Sequence, residues 1–280
     1  MKLVKPSFDI WQQPAGLEGI YKQIERAGRV CYKSEDKITE DSAKSFVDRM
    51  IKSGHGAMLE HGTVYLAMPM EMMLPIQANG WGKYTKNPYS KGFKVCEVNG
   101  QKRVAVTTNL RVLVENDWLD DLKYLCEPTE YHERRATVHF IADAGVMREF
   151  FRHRVFSMAQ ESTRYCNYFR TKFGHSITTI YPCWLDKDEE LEFIEDMNTI
   201  EKIYFKWQAN GWTAQQARIF LPLGIKAEAV MTGFIKDWEH FFSLRSGIAK
   251  TGKPHPQAQE LADPLMDEFV KRGIMETLIK

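Results

Sequence analysis

The stretch RHRVFSMAQESTRY, residues 152–165, is the most informative part of the sequence. Together with Arg148 it forms the densest cationic cluster of the chain: Arg148, Arg152, His153, Arg154 and Arg164. Arginine presents a planar fork of N–H donors suited to phosphate or carboxylate, and its charge does not titrate away near neutral pH. Hydroxyl, amide and aromatic side chains lie among these cations, which favours a pocket wall for a ligand with a phosphate and planar rings. The alternative is a solvated helix face that carries ordinary surface arginines.

Composition limits the class of protein. The 280 residues include 38 Lys+Arg and 37 Asp+Glu, a net charge of +1, and 44% are hydrophobic, as in ordinary globular proteins. A balanced charge disfavours general nucleic-acid binding, so any anion site must be a local arginine cluster. No apolar run is long enough to span a bilayer. Five scattered cysteines without a CxxC pair predict neither a disulfide framework nor a zinc site, and we expect a cytoplasmic protein.

Two further arginines lie in apolar surroundings, Arg218 in QQARIFLPL and Arg245 in HFFSLRSG. Such an arginine either extends to solvent, pairs with a carboxylate, or holds an anion. His55 and His61 are six residues apart, which matches no usual zinc spacing, and we expect no metal site.

The sequence predicts an α+β fold: a helix-rich single domain around a mostly antiparallel sheet, covering residues 1–280. Hydrophobic periodicity predicts helices over 16–28, 40–53, 188–209, 226–245 and 256–272, and a strand over 63–68. A loop is expected over 78–92, and Asn99-Gly100 between two strand-like runs predicts a hairpin. A helix is expected near 117–126, and Thr213 with Gln216 predicts a capping box. We interpret residues 69–135 as an inserted hairpin and helix.

Four segments in order resemble one family. Arg152-His153-Arg154, seven further residues and then Ser162 make an RHRx7S pattern that resembles flavin-dependent thymidylate synthase. The other three matching segments are GHGAMLEH (54–61), ARIFLPL (217–223) and FFSLR (241–245).

The resemblance implies an enzyme that converts dUMP to dTMP with bound FAD. Methylenetetrahydrofolate would donate the carbon and NADPH the reducing equivalents, without a cysteine attached to the uracil ring. It also implies a homotetramer whose active sites draw residues from several subunits, with no nucleic-acid or membrane partner.

The resemblance assigns roles to individual residues. Arg245 would be catalytic, facing the uracil and favouring its N3-deprotonated form, and Arg218 would hold the phosphate. The residues expected to bind dUMP are Glu149, Arg152, Gln160, Glu161, Ser162, Thr163, Arg164, Arg218 and Arg245. The residues expected to bind FAD are His55, Ala57, Glu60, Arg152, His153, Arg154, Gln160, Lys236 and His240.

Some positions depart from the family pattern. Ala57 replaces a frequent hydroxyl residue, Phe234 and Lys236 replace an Asn and an Arg, and His240 replaces an Asn. The loop after Arg245 is longer than usual, and His255 is aligned with a family histidine there. Two other interpretations remain: a non-catalytic nucleotide or nucleic-acid binding module that uses the same arginines and aromatics, and a family member that has lost turnover.

Overall fold

The structure is a computed structural model that describes residues 1–73, 82–250 and 252–278. The predicted loop over 78–92 therefore lies partly outside the described residues, since 74–81 are not among them. Within the described part the strands are β1 (Lys2–Val4), β2 (Ser7–Trp11), β3 (Thr63–Pro69), β4 (Lys91–Val98), β5 (Gln101–Asn109), β6 (Arg135–Asp143), β7 (Ser157–Gln160), β8 (Thr178–Ile180) and β9 (Lys226–Phe234).

Helices make up most of the remaining structure. The α-helices described are α1 (Gly16–Tyr32), α2 (Ser42–Lys52), α3 (Gly56–Leu59), α4 (Met70–Met73), α5 (Leu110–Glu115), α6 (Ala144–Phe150), α7 (Glu190–Ala209), α8 (Ala214–Ala217), α9 (Ile235–Arg245) and α10 (Pro256–Lys271). Short 3-10 helices cover Glu35–Lys37, Leu119–Tyr124, Thr171–Phe173 and Arg218–Phe220. The predicted α+β class is confirmed.

A four-stranded antiparallel sheet in the order β2-β6-β9-β7 forms the centre of the molecule. The sequence prediction of one helix over 226–245 is wrong, because its first nine residues form β9 and only Ile235–Arg245 is helical. β9 has a partner strand on each side and is buried on both faces. A strand buried in this way shows no alternation of polar and apolar residues, so periodicity cannot distinguish it from a buried helix.

The two faces of this sheet carry different helices. Alternate residues of β6, such as Val138 and Phe140, pack with Phe150 of α6, Trp238 of α9 and Phe269 of α10 in the largest core cluster. The opposite face packs against α1 through Trp11, Ala27, Val30, Ala159 and Val230. The sheet therefore separates α6, α9 and α10 from α1.

The predicted hairpin is confirmed and belongs to a second sheet, in the order β3-β5-β4. Asn99 and Gly100 both have positive φ angles, 52° and 74°, as the tight turn between β4 and β5 requires. This sheet packs against the other side of α1, with Ile20, Ile24 and Val106 in one buried cluster. Helix α1 thus lies between the two sheets and joins the inserted segment to the central sheet.

The predicted helices over 188–209 and 256–272 correspond to α7 and α10. The predicted capping box is confirmed at α8, where the Thr213 amide donates to Gln216 Oε1 at 2.9 Å. The predicted helix near 117–126 is the 3-10 helix Leu119–Tyr124. No helix within the described ranges is long and apolar enough to cross a membrane.

Gly233 on β9 provides a test of this packing. A Cβ atom at this position would lie 2.5 Å from two ring carbons of Phe156. Because overpacking a dense core forces side chains off their rotamers, we expect Gly233→Ala to lower the free energy of unfolding by about 1–3 kcal/mol in urea denaturation. Gly224→Ala is the matched control, since its Cβ would meet only Thr179 Cγ2 at 3.6 Å. Equal effects of the two substitutions would contradict the described contact.

Candidate functional site

Most of the predicted site residues lie around β7, the edge strand of the central sheet. Arg152, His153 and Arg154 come just before β7, and the segment Gln160–Arg164 continues from its last residue. The remaining residues approach β7 from the two faces of the sheet. The candidate site has three parts: the arginine–histidine cluster (Glu149, His153, His240 and Arg245), the segment Gln160–Arg164, and the α1–α3 cavity around His55 and Ala57.

The arginine–histidine cluster joins the end of α6 to the end of α9. Asp143 caps α6 by accepting from the Val146 amide at 2.8 Å, and the helix ends in a turn that carries His153. Arg245, the last residue of α9, donates to Glu149 Oε2 at 2.5 Å and to the Glu149 carbonyl at 2.9 Å. Its Nε donates to His153 Nε2 at 3.2 Å. Three of the five guanidinium N–H donors are thereby used and the orientation of the group is fixed.

His153 is electrically neutral in this cluster. Burial, together with the nearby Arg245 and His240, lowers its pKa to about 4. Because Nε2 accepts from Arg245, the ring proton must reside on Nδ1. The ring packs beside Phe241, with centroids 5.1 Å apart, and beside His240 at 5.9 Å. His153 therefore supports Arg245 as a neutral acceptor and adds no second cation beside it.

The segment Gln160–Arg164 is held by backbone hydrogen bonds. The amide of Glu161 donates to the Glu228 carbonyl at 2.8 Å, and the amide of Ser162 donates to the Cys31 carbonyl at 2.9 Å. Ser162 and Thr163 are half-buried and Arg164 is exposed. The segment is thus anchored by its backbone while its hydroxyl and guanidinium groups face outward or partly outward.

Arg164 and Arg218 lie near one another on the surface. Arg164 Nε donates to Gln215 Oε1 at 2.9 Å, and Arg218 follows Gln215 by three residues. Residues three apart in such a helical segment lie on the same side of it. Arg218 is exposed and has no hydrogen-bonded or ionic side-chain partner within the described ranges. This surface has the donors that a phosphate group requires.

The side chain of Glu161 belongs to a buried ion network. Its Oε1 accepts from the Tyr168 hydroxyl at 2.9 Å and its Oε2 pairs with Lys226 at 3.0 Å. Lys226 also pairs with Glu228 at 2.6 Å, and Glu228 pairs with Lys33 at 2.9 Å. Glu161 was predicted to bind dUMP; in this structure each of its carboxylate oxygens has a partner in the buried network.

Glu228 is the centre of this network. Burial alone would raise the pKa of Glu228, but the hydrogen bond from His139 and the ammonium groups of Lys226 and Lys33 outweigh burial and hold the pKa well below its ordinary value. Sequence reasoning missed these residues, although Lys226 and Glu228 are two apart and so share one face of a strand. The incorrect helix prediction over 226–245 concealed that spacing.

The α1–α3 cavity lies on the other side of the same segment. It has a volume of about 400 Å³, and His55 and Ala57 line it together with Cys31, Tyr32 and Arg111. Cys31 accepts the Ser162 amide, and the Tyr32 and Tyr165 rings are 5.2 Å apart, so this cavity borders the segment Gln160–Arg164. Cys31, Tyr32 and Arg111 were not predicted, because nothing in the sequence distinguishes them from ordinary core or surface residues.

Glu60 does not line the α1–α3 cavity. Its carboxylate pairs with Arg111 at 2.5 Å, and its carbonyl accepts from Arg135 at 3.0 Å. Phe234, where the family frequently has Asn, is buried, and the Lys91 ammonium lies 4.2 Å from its ring centroid.

Five predicted FAD or dUMP residues are exposed cations without an ionic partner in the described part of the chain. These are Arg152, Arg154, Arg164, Arg218 and Lys236. His255 precedes α10, and its ring lies 5.7 Å from that of Trp184. His255 and Glu149 both line a further cavity of about 570 Å³. No group of three His, Cys, Asp or Glu residues in the described ranges could hold a metal ion.

These elements define a mixed α and β protein with anion-binding groups arranged around one edge strand. Residues 127–272 match the model of the thymidylate synthase complementing protein family, and the chain belongs to that family. The resemblance to flavin-dependent thymidylate synthases is confirmed at this level. The matched range contains the arginine–histidine cluster and the segment Gln160–Arg164, but not His55, Ala57 or Glu60.

Named relatives agree with the family. The chain is 28% identical over 131 residues to a flavin-dependent thymidylate synthase from Pyrococcus abyssi, covering 46% of this chain and 51% of that protein. It is 25% identical over 150 residues to a probable flavin-dependent thymidylate synthase from Paramecium bursaria Chlorella virus 1, covering 48% of this chain and 66% of that protein. The chain thus matches about half to two thirds of the length of these relatives.

Among solved structures, a UMP/dUMP methylase PolB from Streptomyces cacaoi bound with 5-Br dUMP is 14% identical, with a TM-score of 0.44. That alignment covers 97% of this chain and 93% of the PolB chain.

The buried ion network predicts a large effect of Lys226→Met. This substitution leaves the carboxylates of Glu161 and Glu228 buried without their shared cation, so we expect the free energy of unfolding to fall by about 3–5 kcal/mol. The difference in unfolding free energy between wild type and Lys226→Met should shrink as the pH falls below the ordinary glutamate pKa of 4.5. The low pKa of folded Glu228 stabilises the wild-type protein fully only above that pH, and this stabilisation is lost on acidification.

The matched control for Lys226→Met is Lys44→Met. Lys44 pairs with Asp48 at 2.8 Å, but both side chains are more than half exposed, at 73% and 55%. Because exposed pairs contribute little, we expect a change below about 1 kcal/mol in urea denaturation. Similar losses in the two variants would contradict the buried network.

The neutral state of His153 can be measured directly by NMR titration of its ring protons. We expect a pKa of about 4 in the wild-type protein, and a rise toward the ordinary 6.5 in Arg245→Gln, because a neighbouring cation is removed. Since the pKa is lowered in the folded state, His153 should reduce stability as the pH falls from 6.5 toward 4. The drop in unfolding free energy over that range should be smaller in His153→Gln. A wild-type pKa near 6.5 would contradict the described environment.

Proposed function

We propose that this protein is an FAD-dependent thymidylate synthase that converts dUMP to dTMP, with methylenetetrahydrofolate as the carbon donor and NADPH as the reductant. The observation that carries the proposal is the arrangement around β7. Arg152 and Arg154, which are exposed and make no ion pair within the described residues, precede this strand. A fixed arginine, Arg245, has a carboxylate and a neutral histidine as its neighbours. Family membership supports the same conclusion.

In the proposed dUMP site the phosphate contacts Arg218, assisted by Arg164 and the hydroxyls of Ser162 and Thr163. The link from Arg164 to Gln215 supports this placement, because it joins the two cationic segments. Gln160 adjoins this phosphate site at the end of β7, Glu161 anchors the segment behind it, and Arg152 contributes from the preceding turn. Glu149 reaches the nucleotide beside Arg245 and holds that guanidinium in place.

Arg245 acts on the uracil ring in this proposal. It stabilises the N3-deprotonated form, whose negative charge spreads over the ring. A guanidinium already fixed by Glu149 and His153 needs little reorganisation when that charge develops, which is the basis of electrostatic preorganisation. Two of its N–H donors are not used within the described chain, and they are available to the substrate.

The residues present fit a flavin dinucleotide. Arg152, Arg154 and Lys236 are exposed cations without ionic partners and suit its diphosphate, and His153, Gln160 and His240 lie beside them. The α1–α3 cavity, with His55, Ala57 and Tyr32, offers a second contact surface, and Glu60 lies nearby. FAD would carry the reducing equivalents from NADPH to the transferred carbon, so that methylene becomes methyl.

The cysteines support a reaction without a covalent thiolate. Burial raises the pKa of all five thiols, to about 12 for Cys166 and about 11 for Cys126. A protonated thiol is a poor nucleophile.

The proposed assembly is a homotetramer with shared active sites. The proposed FAD residues approach β7 from both faces of the central sheet, and Arg152, Arg154 and Lys236 point to solvent in the single chain. A second copy that covers the β7 edge would bring its own residues to these cations. The proposed catalytic domain is the whole chain, 1–280, with an insertion at about 69–135.

A titration of FAD with the purified protein, followed by absorbance with and without dUMP, tests the proposal. A shifted flavin band that changes again with dUMP is expected, together with dTMP formation when NADPH and methylenetetrahydrofolate are added. Absence of any flavin signal would reject the FAD enzyme. Binding of dUMP without flavin would indicate a nucleotide-binding module, and binding of both without dTMP would indicate a member that has lost turnover.

Two variants separate binding from chemistry. Arg218→Ala should weaken dUMP binding about 10- to 100-fold and leave flavin binding unchanged, because a charge-assisted phosphate contact is lost. Arg245→Ala should reduce dTMP formation about 100-fold or more while flavin remains bound. Arg103→Ala, on the β4–β5 hairpin, is the control and should change neither. Normal turnover in Arg245→Ala would overturn its catalytic role.

A further inference from the structure

A cavity of about 560 Å³ lies at the base of the insertion and contains none of the predicted site residues. Three parts of the chain supply most of its lining: residues 10–16, residues 125–128 with 134–137, and residues 272–274 after α10. Its volume is in the range that holds a small organic ligand. Much of it lies outside the range matched by the family, since residues 10–16 and 125–126 precede that range.

The charge of this cavity is unbalanced. Three arginines, Arg134, Arg135 and Arg272, line it together with a single carboxylate, that of Glu127. Arg134 is exposed and makes no ion pair in the described part of the chain. Arg272 pairs with Glu268 through Nε at 2.7 Å, which leaves its two terminal nitrogens available. The mouth of the cavity therefore carries two cations that can turn toward a ligand.

Arg135 is the most buried of the three. It donates to neutral oxygens only: the Glu60 carbonyl at 3.0 Å, Thr63 Oγ1 at 3.2 Å and Ser157 Oγ at 3.1 Å. Burial lowers its pKa to about 10, and the more distant Glu60 and Asp237 compensate only in part. A buried cation without a paired carboxylate is costly unless an anion approaches it.

The rest of the lining is mixed, with Gln12, Gln13, Thr63 and Thr137 beside apolar side chains. Ile10, Tyr65, Ile235 and Ile274 line the cavity and are each half-buried, so they leave apolar surface exposed there. Burying that surface against a ligand would be favourable. The cavity thus combines cationic groups with some exposed apolar surface and neutral hydrogen-bonding groups.

We propose that this cavity binds an organic oxyanion, a carboxylate or a phosphate monoester carried on an apolar group of about the size of a ring. The end of the insertion, residues 125–128 with Arg134 and Arg135, supplies one wall, which gives the inserted segment a function. This site is separate from the proposed dUMP and FAD site and does not depend on the proposed activity.

Two brominated probes distinguish the possible ligand types, 4-bromobenzoate for a carboxylate and 4-bromophenyl phosphate for a phosphate ester. Crystals of the full chain soaked in each probe at about 10 mM should show an anomalous bromine peak in this cavity for at least one of them. A peak only beside Arg164 and Arg218, or no peak with either probe, would overturn the proposal.

Calorimetry in solution supplies the second test, with the double variant Arg134→Gln/Arg272→Gln. Both side chains are exposed, so the variant should fold, and we expect it to bind the preferred probe at least about 10-fold more weakly than wild type, because charge-assisted contacts are lost. Arg103→Gln, on the β4–β5 hairpin and outside the cavity lining, is the matched control and should bind the probe as wild type does. Equal affinity of the double variant and wild type would show that these arginines do not form the site.

Discussion

The burial of β9 on both faces is the constraint on which the rest of the structure depends. Its nine residues pair with β6, and its middle residues 229–232 pair with β7, so the three strands are held in one register. One face of β9 supplies Met231 to the core with α9, and the other supplies Glu228 to the ion network below α1. A shift by one residue would exchange these faces and place a carboxylate in the largest apolar cluster. Every candidate residue near β7 is therefore positioned through β9.

Charged residues have two different roles in this protein, one buried and one at the surface. Inside, Lys33, Lys226, Glu161 and Glu228 neutralise one another, and they fix the backbone that continues from β7. Outside, Arg152, Arg154 and Arg218 have no carboxylate partner in the described part of the chain, so their donors can meet a ligand. A net charge of +1 is compatible with both, because the cationic surface is local and the buried charges cancel.

Local signals predicted local structure well. The hairpin at Asn99-Gly100 follows from a turn that needs positive φ, and α7 follows from its helical spacing of apolar residues. The secondary structure of residues 226–245 could not be predicted in this way. The run KAEAVMTGF contains good helix formers, and it forms a strand only because it pairs with the neighbouring strands β6 and β7. Tertiary pairing overrode local preference there.

In the candidate site, too, local sequence patterns were predictable and tertiary contacts were not. The family pattern located Arg152 to Ser162 and Arg245, but it could not show that Glu149 and Arg245 meet across 96 residues of sequence. Nor could it show that Glu161 is already bonded on both oxygens. Contacts of this kind arise from the fold, and the sequence contains no short-range trace of them. The cationic cavity at the insertion was missed for the same reason, since its three walls come from distant segments.

The triad Arg152-His153-Arg154 shows how one short motif can serve two purposes. The turn after α6 buries the histidine and exposes both arginines, so the three side chains have different surroundings. His153 faces inward as a neutral acceptor for Arg245, and its low pKa keeps it unprotonated at neutral pH. A protonated ring would instead repel Arg245 and remove the acceptor. The inward residue thus orients the proposed catalytic cation, while the two outward residues remain free for the anionic part of a cofactor.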